Sequence, residues 1–351
     1  MKVLVTGAAG FIGAAVATAL EAAGAEVVRV DCYLPRAHGQ AERDPRVHVV
    51  DVRTADSWTA LLGGVDAVSH QAAMVGAGVS IADLPAYAGI NDLGTAALLA
   101  AMHAAEVTAL VLASSMVVYG EGRYACPEHG RRKPGPRDPA ALEAGEFENH
   151  CPECGRPLEW RGVPETARLD PRGGYAASKV AQEHYAAAWV RQAGARAIGL
   201  RYHNVYGPLM PRDTPYSGVS AMFRSALEAG RAPRVFEDGG QLRDFVHVDD
   251  VARANVLALE RVVRRRAGSW TAYNVCSGRP ISVGQVAAVL AETTAGPAPV
   301  VTGEFRLTDV RHLVAAPERA TTELGFTAEI PPQAGLRRFA TDPLRASVTR
   351  W

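Results

Sequence analysis

The first half of the sequence alternates between short apolar runs and longer segments with apolar residues at helical spacing. An apolar run of about 4–7 residues has the length of a strand, and apolar positions three and four residues apart form one face of a helix. The alternation predicts an α/β fold, a parallel sheet with helices on both faces. The predicted strands lie at residues 2–6, 27–30, 47–50, 64–70, 108–113 and 196–202, and the clearest helices at 92–105 and 175–193.

Three glycines follow the first predicted strand. Gly7, Gly10 and Gly13 form a Gly-x-x-Gly-x-x-Gly loop that enters an Ala-rich helix, and the second strand closes on Asp31. Such a loop lets backbone N–H groups at a helix N-terminus approach a pyrophosphate, while the acid accepts hydrogen bonds from a ribose hydroxyl. An acid at this position also repels a 2′-phosphate. The stretch therefore predicts a binding site for NAD rather than NADP.

Polar residues stand at the ends of two later strands and at the start of a predicted helix. Two of them, Asp51 and Asn91, have an alternative, purely structural role. Asp51 follows the third strand, either beside the adenine edge of the cofactor or as a turn former. Residues 70–73 follow the fourth strand, at the sheet edge where doubly wound sheets bind ligands. Asn91 opens the helix predicted at 92–105, either as its N-cap or as a cofactor contact.

Ser115, Tyr175 and Lys179 form a candidate proton-transfer set. The spacing of four places Tyr175 and Lys179 a turn apart on one face of an amphipathic helix. A free tyrosine titrates at about pH 10, but a nearby ammonium favours the phenolate. Ser115, at a neighbouring strand end, can hydrogen-bond the same substrate oxygen, which suits redox chemistry at an alcohol or ketone beside a nicotinamide. Taken alone, the Tyr-x-x-x-Lys spacing is more typical of a solvated helix face.

The segment 121–164, called the insert below, interrupts the alternation. It is rich in Gly, Pro, Arg and Glu, and it carries two paired-ligand motifs, Cys126-Pro-Glu-His129 and Cys151-Pro-Glu-Cys154. Three thiolates and one imidazole can surround Zn²⁺ tetrahedrally, which predicts a structural zinc ribbon. The alternative is a flexible loop with adventitious thiols. Because the insert joins the serine strand to the tyrosine helix, we expect it to lie over the active site.

Composition excludes several other classes of protein. The 351 residues are 48% apolar and 21% charged, which is typical of a soluble globular protein. The 37 basic and 37 acidic residues balance, so no electrostatic attraction to nucleic acid or membrane is indicated. No apolar run of about 18 residues and no signal-peptide pattern is present, which predicts a cytoplasmic protein without membrane or nucleic-acid partners. In that reducing compartment we expect no disulfides.

Motifs along nearly the whole chain agree in order and spacing with a single family. They are residues 6–13, Asp31, 70–73, 114–120, the Tyr175/Lys179 pair, 201–208, 243–250 and 309–312. This collinear set resembles the extended short-chain dehydrogenase/reductase family, which contains the nucleotide-sugar epimerases and dehydratases. The resemblance implies a Rossmann-type, doubly wound sheet with tightly bound NAD and a nucleotide-diphosphate sugar as substrate.

The resemblance also implies a role for individual residues. Catalytic roles fall to Ser115, Tyr175 and Lys179. The implied cofactor contacts are Gly7, Gly10, Phe11, Ile12, Gly13, Asp31, Asp51, Val52, Gln71, Ala72, Ala73, Asn91, Tyr175, Lys179, Tyr202, Asn204 and Val205. The implied substrate contacts are Ser115, Met116, Tyr175, Asn204, Val219, Phe236, Arg243 and Arg311, with Asn204, Arg243 and Arg311 at the diphosphate. His203 departs from the aromatic residue that is usual at its position.

Met116 and Val117 narrow the reaction that the resemblance implies. At these positions 4,6-dehydratases carry an Asp-Glu pair and glucuronate decarboxylases a Glu, and two apolar side chains cannot supply those acid and base groups. A 4-epimerase with a transient 4-keto intermediate remains, as does a 4-dehydrogenase or ketoreductase. The insert and residues 215–223 resemble the dTDP-L-rhamnose 4-epimerase branch more than the UDP-galactose branch.

Other functions stay open at this point. A UDP-hexose or UDP-glucuronate 4-epimerase would use the same residues. A non-catalytic protein that senses NAD or binds through its zinc ribbon is an alternative from a different class. A complete proton-transfer set favours an enzyme over the binding protein.

The same reasoning predicts the domain organisation. We expect an NAD-binding domain at 1–205 that includes the insert, and a smaller α/β substrate-binding domain mainly at 206–351. Residues 246–275 are expected to return to the first domain. Similar enzymes form homodimers through two helices per subunit, one of which carries Tyr175, so a homodimer is expected here.

Overall fold

A computed structural model describes residues 1–38, 42–76, 80–212 and 218–345. Parts of three expectations lie outside those ranges. They are residues 39–41 and 77–79 of the expected NAD-binding domain, residues 213–217 and 346–351 of the expected C-terminal domain, and the first three residues of the 215–223 motif.

The first part of the chain alternates strands and helices as its pattern predicts. Its elements are β1 (Lys2–Thr6), α1 (Phe11–Ala22), β2 (Glu26–Asp31), α2 (Pro35–His38), β3 (Val47–Val49), β4 (Ala67–His70), α3 (Leu84–Tyr87), α4 (Gly94–Ala104) and β5 (Ala109–Ser115). Short 3-10 helices occupy Val52–Leu62, Ile81–Asp83 and Met116–Tyr119, and a π-helical turn, Ala88–Leu93, joins α3 to α4.

The remaining elements belong to the insert and to the second half of the chain. The insert holds β6 (Arg123–Cys126), β7 (Gly130–Arg132), α5 (Pro139–Glu143) and β8 (Glu159–Arg161). The second half holds α6 (Gly174–Gln192), β9 (Arg196–Tyr202), β10 (Asn204–Tyr206), α7 (Val219–Glu228), β11 (Arg234–Val235), β12 (Leu242–Arg243), β13 (Phe245–His247), α8 (Val248–Val262), β14 (Ser269–Val275), β15 (Ile281–Ser282), α9 (Val283–Thr293), β16 (Val300–Val301) and α10 (Pro332–Phe339), with a π-helical turn at Ala320–Leu324.

Seven strands form a parallel sheet in the order β14-β9-β5-β4-β1-β2-β3. Its two faces are covered by different helices because successive side chains of a strand point to opposite sides. Val3 and Val5 of β1 pack with α1 and α8, while Leu4 packs with α4 and α6. This Rossmann-like arrangement confirms the predicted fold class.

The second half of the chain contributes to the sheet and also builds a separate core. Strand β14 pairs with β9, and α8 packs on the sheet face beside α1, so much of 246–275 belongs to the sheet layer. A second core gathers Tyr206, Phe223, Phe245, Leu290 and Phe339 around three two-stranded pairs. These pairs are β10 with β13, β11 with β16 and β12 with β15. The domain boundaries themselves stay a prediction.

The insert is a small folded unit. Strand β6 pairs antiparallel with both β7 and β8, and Tyr124 and Leu158 form a core of their own with three of the cysteines. Its strands are three and four residues long, so each face shows at most two side chains. A run that short has no readable alternation, which is why the sequence shows little strand periodicity there.

Two helix predictions need correction. Asn91 lies inside a helical stretch that runs from Leu84 to Ala104, so it opens no helix and caps none. Helix α6 was expected to be amphipathic, but its buried face carries Lys179, Gln182 and Glu183 among its residues. Polar side chains on the buried face remove the apolar stripe on which amphipathicity is judged.

Candidate active site

A cleft of about 650 Å³ opens at the carboxyl ends of the parallel strands. Residues that follow β1, β2, β4, β5 and β9 line it, which is the usual ligand position in doubly wound sheets. Of the expected cofactor contacts, the cleft is lined by Gly7, Gly10, Phe11, Ile12, Gly13, Asp31, Asp51, Val52, Gln71, Ala72, Ala73, Tyr175, Asn204 and Val205. Of the expected substrate contacts, Met116, Tyr175, Asn204, Val219, Phe236 and Arg243 line it.

The glycine loop has no room for side chains. Gly7 has φ +65°, and a Cβ on it would lie 2.7 Å from the backbone nitrogen of Ala72. A Cβ on Gly13 would lie 2.0 Å from the carbonyl oxygen of Gly7. The loop therefore packs directly on the start of α1, whose N-cap is Gly10, and the first N–H groups of a helix have no partner within it. These residues fit a dinucleotide pyrophosphate.

Asp31 stands at the end of β2, as expected of the residue that binds a ribose. Its carboxylate accepts hydrogen bonds from the backbone N–H groups of Tyr33 (2.8 Å) and Ala9 (3.1 Å), and His38 Nε2 lies 3.4 Å away. Burial alone would raise the pKa of Asp31, but the hydrogen bonds from His38 and the two backbone amides hold it below its ordinary value. The side chain is therefore a carboxylate at neutral pH.

Three of the expected cofactor contacts lie behind the cleft wall. Tyr202 is buried and its hydroxyl donates to Gln71 Oε1 (3.1 Å). Asn91 is fully buried and bonds the backbone N–H and carbonyl of Met74 (2.8 and 3.0 Å) and the hydroxyl of Ser178. Lys179 is 3% exposed. Tyr202 and Asn91 thus hold in place the segment that follows β4.

Asp51 is engaged within the protein although it lines the cleft. Its carboxylate accepts hydrogen bonds from the backbone N–H of Arg53 (2.8 Å) and from the guanidinium of the same residue (2.6 Å). Both the turn-forming role and a place beside the cofactor are compatible with this geometry.

The proton-transfer set is assembled under the cleft. Ser115 is the last residue of β5, and Tyr175 and Lys179 lie on α6, which packs against that strand. Lys179 Nζ is 5.9 Å from the centre of the Tyr175 ring and donates to the carbonyl oxygen of Ala113 (2.8 Å). This carbonyl fixes the ammonium beneath the tyrosine.

The protonation of this set differs from the expectation. Burial raises the pKa of Tyr175 well above its ordinary value, although a hydrogen bond with Ser115 lowers it in part. Burial also lowers the pKa of Lys179 to about 7, against the opposing charge of Glu183. In the protein alone, burial therefore has the largest effect on the protonation of both groups, and Tyr175 is a neutral phenol.

Two of the eight expected substrate contacts, Ser115 and Arg311, are not among the residues that line the cleft. Arg311 was expected at a diphosphate, but it does not line the cleft and is 2% exposed. Arg306 lines the cleft instead, with its guanidinium 5.1 Å from the centre of the Phe236 ring. Arg306 could not be chosen from the sequence. Arg306 and Arg311 lie five residues apart in one polar segment, and no local pattern shows which of them lines the cleft.

Arg311 is the centre of an ion-pair group, here called the Arg311 cluster. It bonds Glu148 of the insert (2.5 Å), Asp238 (2.7 Å) and Glu237 (3.2 Å). Its backbone N–H donates to Glu121 of the insert (2.7 Å). Three carboxylates leave this guanidinium unavailable to a phosphate, and the cluster ties the insert to the segment 306–313.

The insert does not cover the cleft, contrary to expectation. None of its described residues lines the cleft. Gly120, just before the insert, does line it. The insert packs instead against the outer side of the segment that contains Arg311 and His312. The Arg311 cluster explains this position, because its ion pairs hold the insert against the segment 306–313 and away from Tyr175 and Lys179.

The four predicted metal ligands lie together. The Sγ atoms of Cys126 and Cys154 are 3.6 Å apart, and His129 Nδ1 is 3.5 Å from Cys126 Sγ and from Cys151 Sγ. All four ligand atoms lie within 4.8 Å of one another. The sulfur separation is far longer than a disulfide bond of about 2.05 Å, so these cysteines are free.

Among the helices of the described ranges, none has the length and apolar character to cross a membrane.

Known proteins resemble this chain over nearly its full length. A model of the NAD dependent epimerase/dehydratase family matches residues 3–141 and 155–276. The dTDP-L-rhamnose 4-epimerase of Burkholderia thailandensis is 33% identical over 356 residues, which cover 97% of this chain and 94% of that protein. Residues 142–154, between the two matched ranges, contain Glu148, Cys151 and Cys154.

Solved structures show the same architecture. The UDP-glucose 4-epimerase of Thermotoga maritima with UDP-glucose superposes with a TM-score of 0.77 at 27% identity, covering 97% of each chain. The UDP-glucose 4-epimerase of Thermus thermophilus in complex with NAD superposes with a TM-score of 0.74 at 29% identity, covering 97% of this chain and 98% of that one.

The Arg311 cluster yields a prediction about stability and pH. A hydrogen bond with His312, together with Arg311, lowers the pKa of Glu148 to about 2 from 4.5. A carboxyl whose pKa is lower in the folded than in the unfolded protein stabilises the fold at pH values above its unfolded-state pKa. That stabilisation is lost as the pH falls from about 4.5 to about 2. Glu148→Gln should therefore lower Tm by about 2 °C at pH 7, and the difference from wild type should shrink as the pH falls below about 4.5.

The matched control is Glu159→Gln in the same insert. Glu159 pairs with Arg161 on the surface, where both side chains are about half exposed, so its loss should leave Tm nearly unchanged. Thermal unfolding of both variants at several pH values gives the comparison. Equal effects of the two substitutions would contradict the role assigned to Glu148.

Proposed function

Because the chain belongs to the NAD dependent epimerase/dehydratase family and is an NAD-dependent nucleotide-sugar epimerase, we propose that it inverts C4 of a dTDP-6-deoxyhexose such as dTDP-L-rhamnose. The observation that carries the proposal is the set of Ser115, Tyr175 and Lys179 at the cleft. Met116 and Val117, which follow Ser115 and line the cleft, are apolar. That set supports proton transfer and redox at one carbon, and neither Met116 nor Val117 can supply the second acid or base that elimination requires.

The choice of nucleotide and sugar rests on similarity. The Burkholderia thailandensis relative acts, by its name, on dTDP-L-rhamnose, which favours that substrate class. UDP-glucose 4-epimerases match the same span in sequence and structure, so UDP-hexoses and UDP-glucuronate are the second candidates. A 4-dehydrogenase or ketoreductase would use the same residues with exchangeable NAD.

The glycine loop and Asp31 would hold NAD, which when bound supplies a hydride acceptor and donor and a positive charge that favours the phenolate of Tyr175. Tyr175 Oη would remove the proton of the C4 hydroxyl as the C4 hydride leaves. After the 4-keto sugar has rotated in the cleft and hydride has added to the opposite face of C4, Tyr175 would return the proton to the same oxygen. Ser115 donates a hydrogen bond to the same substrate oxygen. Lys179, held by the Ala113 carbonyl, stabilises the phenolate.

The reaction can be tested without added cofactor. Purified protein is incubated separately with dTDP-L-rhamnose, UDP-galactose and UDP-glucuronate, and the products are separated by chromatography. We expect a C4 epimer of dTDP-L-rhamnose to form without external NAD. Net oxidation or reduction that requires supplied NAD or NADH would instead identify a dehydrogenase or ketoreductase.

Tyr175→Phe removes the hydroxyl that carries the proton. The rate of epimerisation should fall by about 10²–10⁴-fold, the usual contribution of a positioned acid or base. Tyr185→Phe is the matched control, because Tyr185 lies on the same helix with 44% of its surface exposed. Initial rates for both variants at equal NAD content check the assignment, and a Tyr175→Phe enzyme with most of its activity would refute it.

The Cys126, His129, Cys151 and Cys154 cluster fits a structural Zn²⁺, and we assign it that role. Tetrahedral zinc with bonds of about 2.3 Å to sulfur and about 2.0 Å to nitrogen separates two sulfurs by about 3.8 Å, and sulfur from nitrogen by about 3.5 Å. The observed 3.6 and 3.5 Å match. His129 Nε2 lies 3.5 Å from Glu153, the orienting carboxylate that metal-bound histidines often have.

Removal of the metal should loosen the insert. We expect about one zinc per chain by elemental analysis, and a Cys151→Ser/Cys154→Ser double variant should lose it and show a lower Tm. Cys276→Ser, outside the cluster, should keep its zinc and serves as the control. Full zinc content in the double variant would contradict the assignment.

Three further expectations stay predictions. They are the homodimer, the cytoplasmic location and the boundary between the two domains at residue 205. Gel filtration of the purified protein would test the first of these.

A further inference from the structure

A buried histidine in the cleft wall has no hydrogen-bond partner within the described residues. His203 is 4% exposed and lines the cleft, and neither Nδ1 nor Nε2 is paired. By comparison, His70, His247 and His312 are also buried, and each pairs at least one ring nitrogen. Buried polar groups in proteins are nearly always satisfied. Two unmatched ring nitrogens on a residue that lines a ligand cleft therefore point to a partner that arrives with the ligand.

The imidazole of His203 is neutral. Its burial, together with the charge of Arg243, lowers its pKa to about 3, so at neutral pH one ring nitrogen donates a hydrogen bond and the other accepts one. The Arg243 guanidinium makes no hydrogen bond with the ring, and it donates instead to the carbonyl oxygens of Leu242, Val310 and Arg311. The neighbouring Asn204 has an unpaired Oδ1 as well.

The position of His203 places it on the substrate side. It follows β9 directly, and the last residue of that strand, Tyr202, pairs in register with Ser115. Its backbone N–H donates to Val275 (3.1 Å), which holds the residue at the strand end. The residue therefore follows the strand end that pairs with Ser115, and its ring lies near Arg243, a candidate phosphate contact.

We propose that His203 binds the sugar of the nucleotide-sugar substrate. It thereby strengthens binding of the sugar nucleotide and not binding of the nucleotide alone. A sugar hydroxyl both donates and accepts a hydrogen bond, which matches a neutral imidazole. A phosphate only accepts, and cationic side chains serve it better. This inference rests on the proposed function, since it assumes that a nucleotide sugar occupies the cleft.

The test compares binding of a sugar nucleotide with binding of its nucleotide. The holoenzyme is titrated by calorimetry with dTDP-L-rhamnose and dTDP, and with UDP-glucose and UDP. His203→Phe should weaken binding of the sugar nucleotide that wild type prefers by about 10- to 100-fold, the value of one to two hydrogen bonds. The nucleotide alone should bind within about twofold of wild type, with NAD content unchanged. His203→Asn, which keeps a donor and an acceptor, should recover part of the loss.

His48→Phe is the matched control, because His48 is an exposed residue of β3 and its loss should change no affinity. The inference is overturned by unchanged sugar-nucleotide binding in His203→Phe, by equal weakening of the nucleotide alone, or by loss of NAD. A wild type that binds nucleotide sugars without converting them would overturn the proposed epimerisation and leave the role of His203 to be decided by the titrations.

Discussion

The buried ion pair between Arg201 and Glu183 is the interaction on which the arrangement of the active site depends. Arg201 comes from β9 and Glu183 from α6, and two hydrogen bonds of 2.9 and 2.7 Å join them at side-chain exposures of 5% and 3%. Removing one partner from such a pair typically costs about 3–5 kcal/mol, because the other charge is left buried. Helix α6 is thereby fixed on the sheet one turn beyond Lys179, and the orientation of Tyr175 follows from it.

The same pair extends into a network that joins three parts of the chain. Ser114, next to Ser115, donates to Glu183 (2.5 Å), and Arg201 also bonds the hydroxyl of Tyr119 (2.9 Å). Tyr119 in turn donates to Asn274 of β14 (2.7 Å). The strand that carries Ser115 and the helix that carries Tyr175 are therefore held to one polar core, which sets the distance between these two elements.

The sequence was informative where a residue's role depends on its neighbours in the chain. The apolar runs and the glycine spacing are local patterns that fold as predicted. The motifs Cys126/His129 and Cys151/Cys154 are local patterns as well, and the fold brings their four ligand atoms together. Roles that depend on distant partners could not be predicted. Arg306 and Arg311 are alike in sequence, and only the carboxylates of Glu148, Glu237 and Asp238 show which one is already paired. Asn91 likewise depends on a loop 17 residues away.

The contact of Gly7 with the backbone of Ala72, and that of Gly13 with Gly7, have a consequence for how a dinucleotide arrives. Both contacts join protein to protein, so the shape of the loop is determined by the packing of β1, β4 and α1 and exists before any ligand is present. A molecule that docks on a preformed surface loses little free energy to reorganisation. Residence in such a site is set by how slowly the contacts break, which suits a group that one enzyme molecule keeps through many turnovers.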